Sequence, residues 1–170
     1  FSLSTFYKQF DAPIEIIRLP AQQTGSDFQP RNVGDAQVYG AEMEIRKSFD
    51  FISPRFEKIF FNTNITYAFS QVDMTDVEFN SRKTFEKEGQ TINDTRPMAG
   101  QAPYIINSGL AYSDLDKGLE TGLYYNIQGP TLLYVGTGLI PDVYAVPFHS
   151  LNFTVNKAFG EERRTSVDFK

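Results

Sequence analysis

Phe61-Asn62-Thr63-Asn64-Ile65-Thr66-Tyr67-Ala68-Phe69-Ser70 is the stretch that decides the fold of this chain. Phe61, Thr63, Ile65, Tyr67 and Phe69 take the odd positions, while the even ones are Asn62, Asn64, Thr66, Ala68 and Ser70. A strict period of two is the signature of a β-strand whose two faces meet different surroundings. One face here is oily and aromatic. The other is small and polar.

The same alternation recurs on both sides. In residues 39–47, Tyr39, Ala41, Met43 and Ile45 oppose Gly40, Glu42, Glu44 and Arg46. In residues 119–128, Leu119, Thr121, Leu123, Tyr125 and Ile127 oppose Glu120, Gly122, Tyr124, Asn126 and Gln128. Within residues 147–158, Leu151, Phe153 and Val155 oppose Ser150, Asn152, Thr154 and Asn156. A further segment sets Tyr104, Ile106, Leu110 and Tyr112 against Asn107, Gly109 and Ala111. Residues 2–10 alternate less cleanly and leave open which side faces out. Residues 165–170 also read as strand. The spacing therefore predicts about seven strands, and no segment shows convincing helical periodicity.

The polar faces distinguish two architectures. A soluble sandwich turns one face of each sheet to water and decorates it with Lys and Glu. Here those faces carry mostly Asn, Ser, Thr and Gly, which suits the enclosed interior of a barrel whose apolar side meets lipid. Connection lengths agree. Residues 19–35, 72–101 and 129–146 are long, whereas 48–59 is shorter and 113–118 and 159–164 are tight. Long outer loops alternating with short periplasmic turns are what an up-and-down transmembrane barrel produces. Stretches of that length without regular structure are unusual in compact soluble domains. The expected fold is all-β: an antiparallel up-and-down transmembrane β-barrel fragment.

Composition narrows the alternatives. The 170 residues carry a formal net charge of -5, which argues against nucleic acid, since phosphate binding needs clustered Lys and Arg. No cysteine is present, hence no disulfide and no thiolate zinc site. No run of about 18 apolar residues exists for a transmembrane helix. The mean hydropathy of -0.34 looks soluble, but barrel strands need apolar residues only at alternate positions. Sixteen Phe and nine Tyr with no Trp, many near segment ends, fit interfacial aromatic girdles. Both termini read as strand, so the chain is expected to be cut from a longer one.

Several strings resemble the C-terminal part of TonB-dependent outer-membrane receptors of the Bacteroidota type. They are Val38-Tyr39-Gly40-Ala41-Glu42-Met43-Glu44-Ile45-Arg46-Lys47, then Phe60-Phe61-Asn62-Thr63-Asn64-Ile65-Thr66-Tyr67, then Gly100-Gln101-Ala102-Pro103-Tyr104-Ile105-Ile106-Asn107-Ser108-Gly109-Leu110, and Tyr124-Tyr125-Asn126 with Gly129. The Gly-Gln-Ala-Pro-Tyr segment opening a strand is the most specific. The resemblance covers nearly the whole chain. It implies roughly strands fifteen to twenty-one of a 22-stranded barrel, so that residues 1–170 are a partial barrel without the plug domain and last strand. It also implies a cell outer-membrane receptor that binds a scarce nutrient on its extracellular loops and imports it with TonB-supplied energy. Implied partners are the TonB system acting through a plug, outer-membrane lipid, a small nutrient, peptide or glycan, and a surface lipoprotein. Siderophores, haem and cobalamin belong to the same range of cargo. The rival readings are a passive porin-like barrel and a soluble all-β ligand-binding module. An enzyme is the remotest reading, and no cofactor is expected.

Candidate residues follow from position. On the polar strand faces Glu42, Glu44, Arg46, Asn62, Asn64, Tyr124 and Asn126 are the lumen-facing candidates, with the charges expected to pair across strands. In the 72–101 loop Phe79, Arg82, Lys83, Phe85 and Arg96 are the ligand candidates, because rigid scaffolds carry specificity on their loops. Asp73, Asp76 and Glu78 lack the spacing and glycine of a calcium loop and read as solvated. The single histidine, His149, cannot build a clustered metal site and is expected near an interface. No Ser-His-Asp arrangement can be argued around it, and no metal is expected.

Overall fold

The computed structural model describes residues 1–19, 27–160 and 164–170. In chain order it contains β1 (Ser2–Phe10), β2 (Ile14–Leu19), β3 (Asp27–Asn32), β4 (Ala36–Ser48), β5 (Ile59–Asp73), α1 (Asp76–Thr84), β6 (Thr95–Arg96), β7 (Tyr104–Asp114), β8 (Leu119–Gln128), β9 (Thr131–Gly136), β10 (Val143–Ala145), β11 (Phe148–Phe159) and β12 (Thr165–Phe169). Parts of the 19–35 connection and of the 159–164 turn lie outside the described residues.

Seven strands form one large sheet in the order β1-β4-β5-β7-β8-β11-β12, with the two-residue β6 attached to β5. Every neighbouring pair is antiparallel, so the wall is an up-and-down meander. β4, β5, β7, β8 and β11 run 13, 15, 11, 10 and 12 residues. A tilted barrel strand needs about 9–11 residues to cross hydrocarbon, so all five are long enough.

The register turns separate sequence patterns into continuous surfaces. Leu3, Met43, Ile65, Ile106, Ile127 and His149 fall in one cross-strand row. Lys47, Phe61, Leu110, Leu123 and Phe153 fall in another. Register also resolves β1: Leu3↔Met43 and Tyr7↔Tyr39 place its odd residues on the apolar face. Nothing covers that face among the described residues. Leu123 and Phe153 are 45% and 50% exposed, with Leu3, Tyr7, Tyr39, Tyr67, Phe69, Leu110 and Leu151 also exposed. Such an apolar surface on both sides of a sandwich core would be buried between sheets.

The long connections all leave from one end of the wall and are not structureless, contrary to the sequence expectation. β2 and β3 from the first connection join β9 and β10 from the third in a second sheet ordered β10-β9-β2-β3. Its β2–β9 contact is parallel, Ile17↔Val135 and Arg18↔Gly136. The middle connection contributes α1. That helix escaped periodicity because it is nine residues long and buries none of them. Local signals hold it instead: Thr75 caps it by accepting from Glu78 N at 3.3 Å, Asp76 and Glu78 sit in its first turn, and Arg82 and Lys83 in its last. The string Thr75-Asp76-Val77-Glu78 carries the capping signature at its start, too short a signal to reveal a helix by itself.

The buried cluster of the chain lies at this end. Ile17, Val33, Ala36, Val72, Leu132 and Val135 pack together, with Phe10, Leu19, Met98 and Ala99 against them. Phe10, Ala36 and Val72 share one cross-strand row, on the same face as Glu42 and Asn62. Met98 N donates to Ser70 Oγ at 3.1 Å on that face, and Gly100 N donates to Leu132 O at 2.8 Å. The loops thus fold over the rim of the polar face as a canopy and leave the apolar face bare.

Candidate functional site

The polar face gathers six of its seven sequence-derived candidates into two adjacent rows. Glu44, Asn64, Asn107, Asn126 and Ser150 form one; Arg46, Asn62, Gly109, Tyr124 and Asn152 form the next. Glu42 lies one step outward, opposite Thr66. The register explains this convergence: each strand contributes a residue of the same parity, and an antiparallel ladder keeps parity aligned. Arg46 Nε pairs with Glu44 Oε1 at 3.0 Å along β4, where pairing across strands was expected. Two residues of one parity on a single strand already lie side by side, and the cross-strand partners of Glu44 and Arg46 are uncharged Asn64 and Asn62. Asn126 Nδ2 donates to Asn107 Oδ1, so Asn107 belongs with the candidates although the sequence reading left it out.

Tyr124 has an unusual seat. A Cβ built on Gly109 would lie 2.7 Å from its Cδ1, and one built on Gly122 would lie 2.6 Å from its hydroxyl oxygen. Its ring therefore spans two glycines, one across the ladder and one two residues back on β8. An aromatic covering glycine on a sheet supplies packing that the glycine lacks. Asn62 Oδ1 leans over Gly109 from the other side, 2.7 Å from the same built position.

In the canopy a charge network replaces the expected free cations. Arg96, 6% exposed, places Nη1 2.7 Å from Oε2 of Glu15, itself 4% exposed. Its Nε lies 2.5 Å from Glu78 Oε1. Arg82 Nη2 reaches Glu78 Oε1 at 3.1 Å, and its two terminal nitrogens donate to both Asp142 oxygens at 3.0 and 2.9 Å. Asp142 Oδ1 also accepts from Gly136 N, and Glu15 Oε1 from Ala99 N. Burial, the largest influence on Arg96, works to lower its pKa, yet the hydrogen bond and charge of Glu78, with Glu15 behind, hold it above the ordinary arginine value. Two arginines and three carboxylates thus tie β2, α1, β6 and the 136–142 segment together. Glu15 and Asp142 were not read from the sequence; a lone acid in the run Ile14-Glu15-Ile16-Ile17 was the available hint.

The other loop candidates separate. Lys83 pairs with Glu86 at 2.7 Å. Phe79 is half-buried, and Phe85 is exposed beside Gly138. Asp73 and Asp76 are exposed, whereas Glu78 is engaged by Arg82 and Arg96. At the opposite end, Lys58 in the 49–58 turn bonds buried Asp114 at 2.9 Å, joining two short connections. His149 Nδ1 lies 2.6 Å from Tyr125 Oη near the canopy end of the apolar face.

A bare apolar face, a polar inner face and loops gathered at one end define an antiparallel membrane-barrel wall. Residues 1–165 match the protein family described as TonB dependent receptor-like, beta-barrel, and the chain belongs to that family. Its members are outer-membrane receptors and transporters that engage TonB and small-molecule substrates, and they are not enzymes. No curated protein and no solved structure matches the chain.

Proposed function

We propose that this chain is barrel wall and outer canopy of an energised nutrient importer of the Gram-negative outer membrane. The carrying observation is the uncovered apolar face opposite a polar face of Asn, Ser, Thr and Gly. In lipid that face needs no protein partner, whereas in water it would be a large association surface. The polar face then lines the lumen, and the canopy over its rim meets cargo first. Under this reading the seven strands belong to a larger closed barrel, since unpaired strand edges at β1 and β12 are costly in hydrocarbon. A 22-stranded barrel of Bacteroidota type with a TonB-contacting plug is the assembly the family suggests. Nutrient, a peptide or glycan among the options, binds loops and lumen, a surface lipoprotein has the canopy as its landing place, and TonB supplies the energy to move the plug.

The full-length protein should fractionate with the outer membrane, require detergent for extraction and migrate anomalously on gels unless heated. Uptake of its cargo should stop when TonB is removed. Extraction in plain buffer would remove the membrane reading. Uptake that survives loss of TonB would instead leave a passive barrel.

A further inference from the structure

We propose that the turn end of the apolar face is a docking surface for anionic glycerophospholipid of the inner leaflet, built around Lys47 and Lys157. The inference rests on the reading above that puts this face in lipid and the canopy outside, which sets the short turns at the periplasmic surface. Register carries it. Among the described wall-strand residues of the apolar face, Lys47 and Lys157 are the two that are Lys or Arg. Lys47 pairs with Phe61, and Lys157 with Leu119 and Val167, so both lie near the turn end. The canopy end of the same face carries phenols instead, Tyr7, Tyr39, Tyr67, Tyr104 and Tyr125, with His149 beside the last.

Each lysine is seated on a ring. The Lys47 ammonium stands 5.3 Å from the centroid of Phe51, and that of Lys157 stands 5.8 Å from the centroid of Phe159. Phe51 stacks on Phe49 with centroids 6.0 Å apart. Phe51 and Ile52 are 63% and 60% exposed, an apolar display in the 49–58 turn that water would penalise. Rings settle where hydrocarbon meets headgroups, and a lysine stem runs along apolar surface to bring its ammonium to that level. None of the ion pairs among the described residues uses Lys47 or Lys157. Lys157 donates to Lys117 O, which leaves its other ammonium N–H groups for a ligand. Nearby acids are engaged: Asp50 accepts from Ser48 Oγ, and Asp114 is bound by Lys58 and Tyr112. A headgroup of net negative charge complements these ammoniums, whereas a zwitterionic one brings a competing cation of its own. The two lysines stand four strands apart, about 19 Å at the usual strand spacing, so each takes its own lipid.

The test uses the full-length protein in phosphatidylcholine vesicles, with any other cysteine replaced by serine. A nitrobenzoxadiazole fluorophore is attached in turn through Ile52→Cys, Val167→Cys and Leu123→Cys. It is quenched with phosphatidylglycerol or phosphatidylcholine, each spin-labelled high on the acyl chain. Leu123 reports the middle of the wall, and both lipids should quench there. At Ile52 phosphatidylglycerol should quench at least about two-fold more strongly than phosphatidylcholine. Lys47→Gln should bring that ratio to about one, Lys47→Arg should keep it, and Lys157→Gln should leave it alone. At Val167, the register partner of Lys157, the two lysines should swap roles. Heat-modifiable migration shows whether each variant folds. Should Lys47→Gln not fold, salt at about 1 M takes its place, because screening then acts within about 3 Å. A ratio near one in the parent at either position, or a preference that survives Lys47→Gln or that salt, overturns the docking surface. So does an Ile52 probe that neither lipid quenches beside a quenched Leu123, since the turn then lies in water. No quenching at Leu123 overturns the membrane reading beneath it.

Discussion

Arg96 Nη1 sits 2.7 Å from Glu15 Oε2, and both side chains are almost wholly buried although they come from different long connections. Isolated charges in such a place would be very costly, so the pair and its neighbours Glu78, Arg82 and Asp142 stand or fall together. These contacts pin β2, α1, β6 and the 136–142 segment together, and Arg82 and Arg96 are committed to holding them.

Replacing Arg96 by Met should loosen those contacts. Glu15 would remain buried without a cation and Glu78 would keep only Arg82, at a cost of about 3–5 kcal/mol. Limited proteolysis of the full-length protein should then cut within the 72–101 connection much faster than in the parent. A double variant, Arg96→Met with Glu15→Met, should recover part of the loss, because both ends of the charge pair are gone. Equal protease resistance of parent and Arg96→Met would show the network to be incidental.

The seat of Tyr124 makes a packing prediction. Gly122→Val would drive a side chain into the tyrosine ring, whose hydroxyl oxygen lies 2.6 Å from the first added carbon. Overpacking of this kind costs roughly 1–3 kcal/mol. The temperature at which the full-length barrel loses its compact gel migration should fall accordingly. Combining Gly122→Val with Tyr124→Ala should restore much of it, since the clash is removed.

The two faces of the wall should respond oppositely to charge. Leu123→Arg places a cation on the apolar face near the middle of β8 and should destabilise the barrel by about 2–4 kcal/mol. Thr66→Arg, on the polar face opposite Glu42, should be tolerated. Urea unfolding of the full-length protein from lipid vesicles would compare them. Equal losses would contradict the assignment of faces.

Acid should release one corner of the canopy. The Lys83 ammonium, together with the Ile92 backbone N–H, holds the Glu86 carboxyl below its ordinary value of 4.5. Because the folded value is the lower one, the stabilisation is complete above about 4.5 and disappears as pH falls through the lowered value. Pepsin cleavage near residues 84–92 should rise over that acidic window in the parent, beyond the change in the enzyme's own activity. Glu86→Gln should show no such step.

Much of the wall was legible in the residues themselves. Period-two alternation in Phe61–Ser70 and its repeats needs no tertiary information, because successive side chains on a strand point to opposite faces by covalent geometry. The alternation of long and short connections gave the up-and-down order in the same way. α1 was not legible, since Val77 and Phe79 are too few to make a stripe, and its cap at Thr75 is a signal of two residues.

Sequence by itself determined the wall strands, the parity of the five between β1 and β12 and the dominance of Asn, Ser, Thr and Gly on the polar face, each being a local property of consecutive residues. Only the tertiary structure decided that Asn62, Asn107, Tyr124 and Asn152 share one patch, because that depends on register between strands distant in sequence. It alone also revealed that Arg82 and Arg96 are bound to Glu15, Glu78 and Asp142. A side chain's charge is written in the sequence, but whether that charge is free or spent depends on which other segment folds against it.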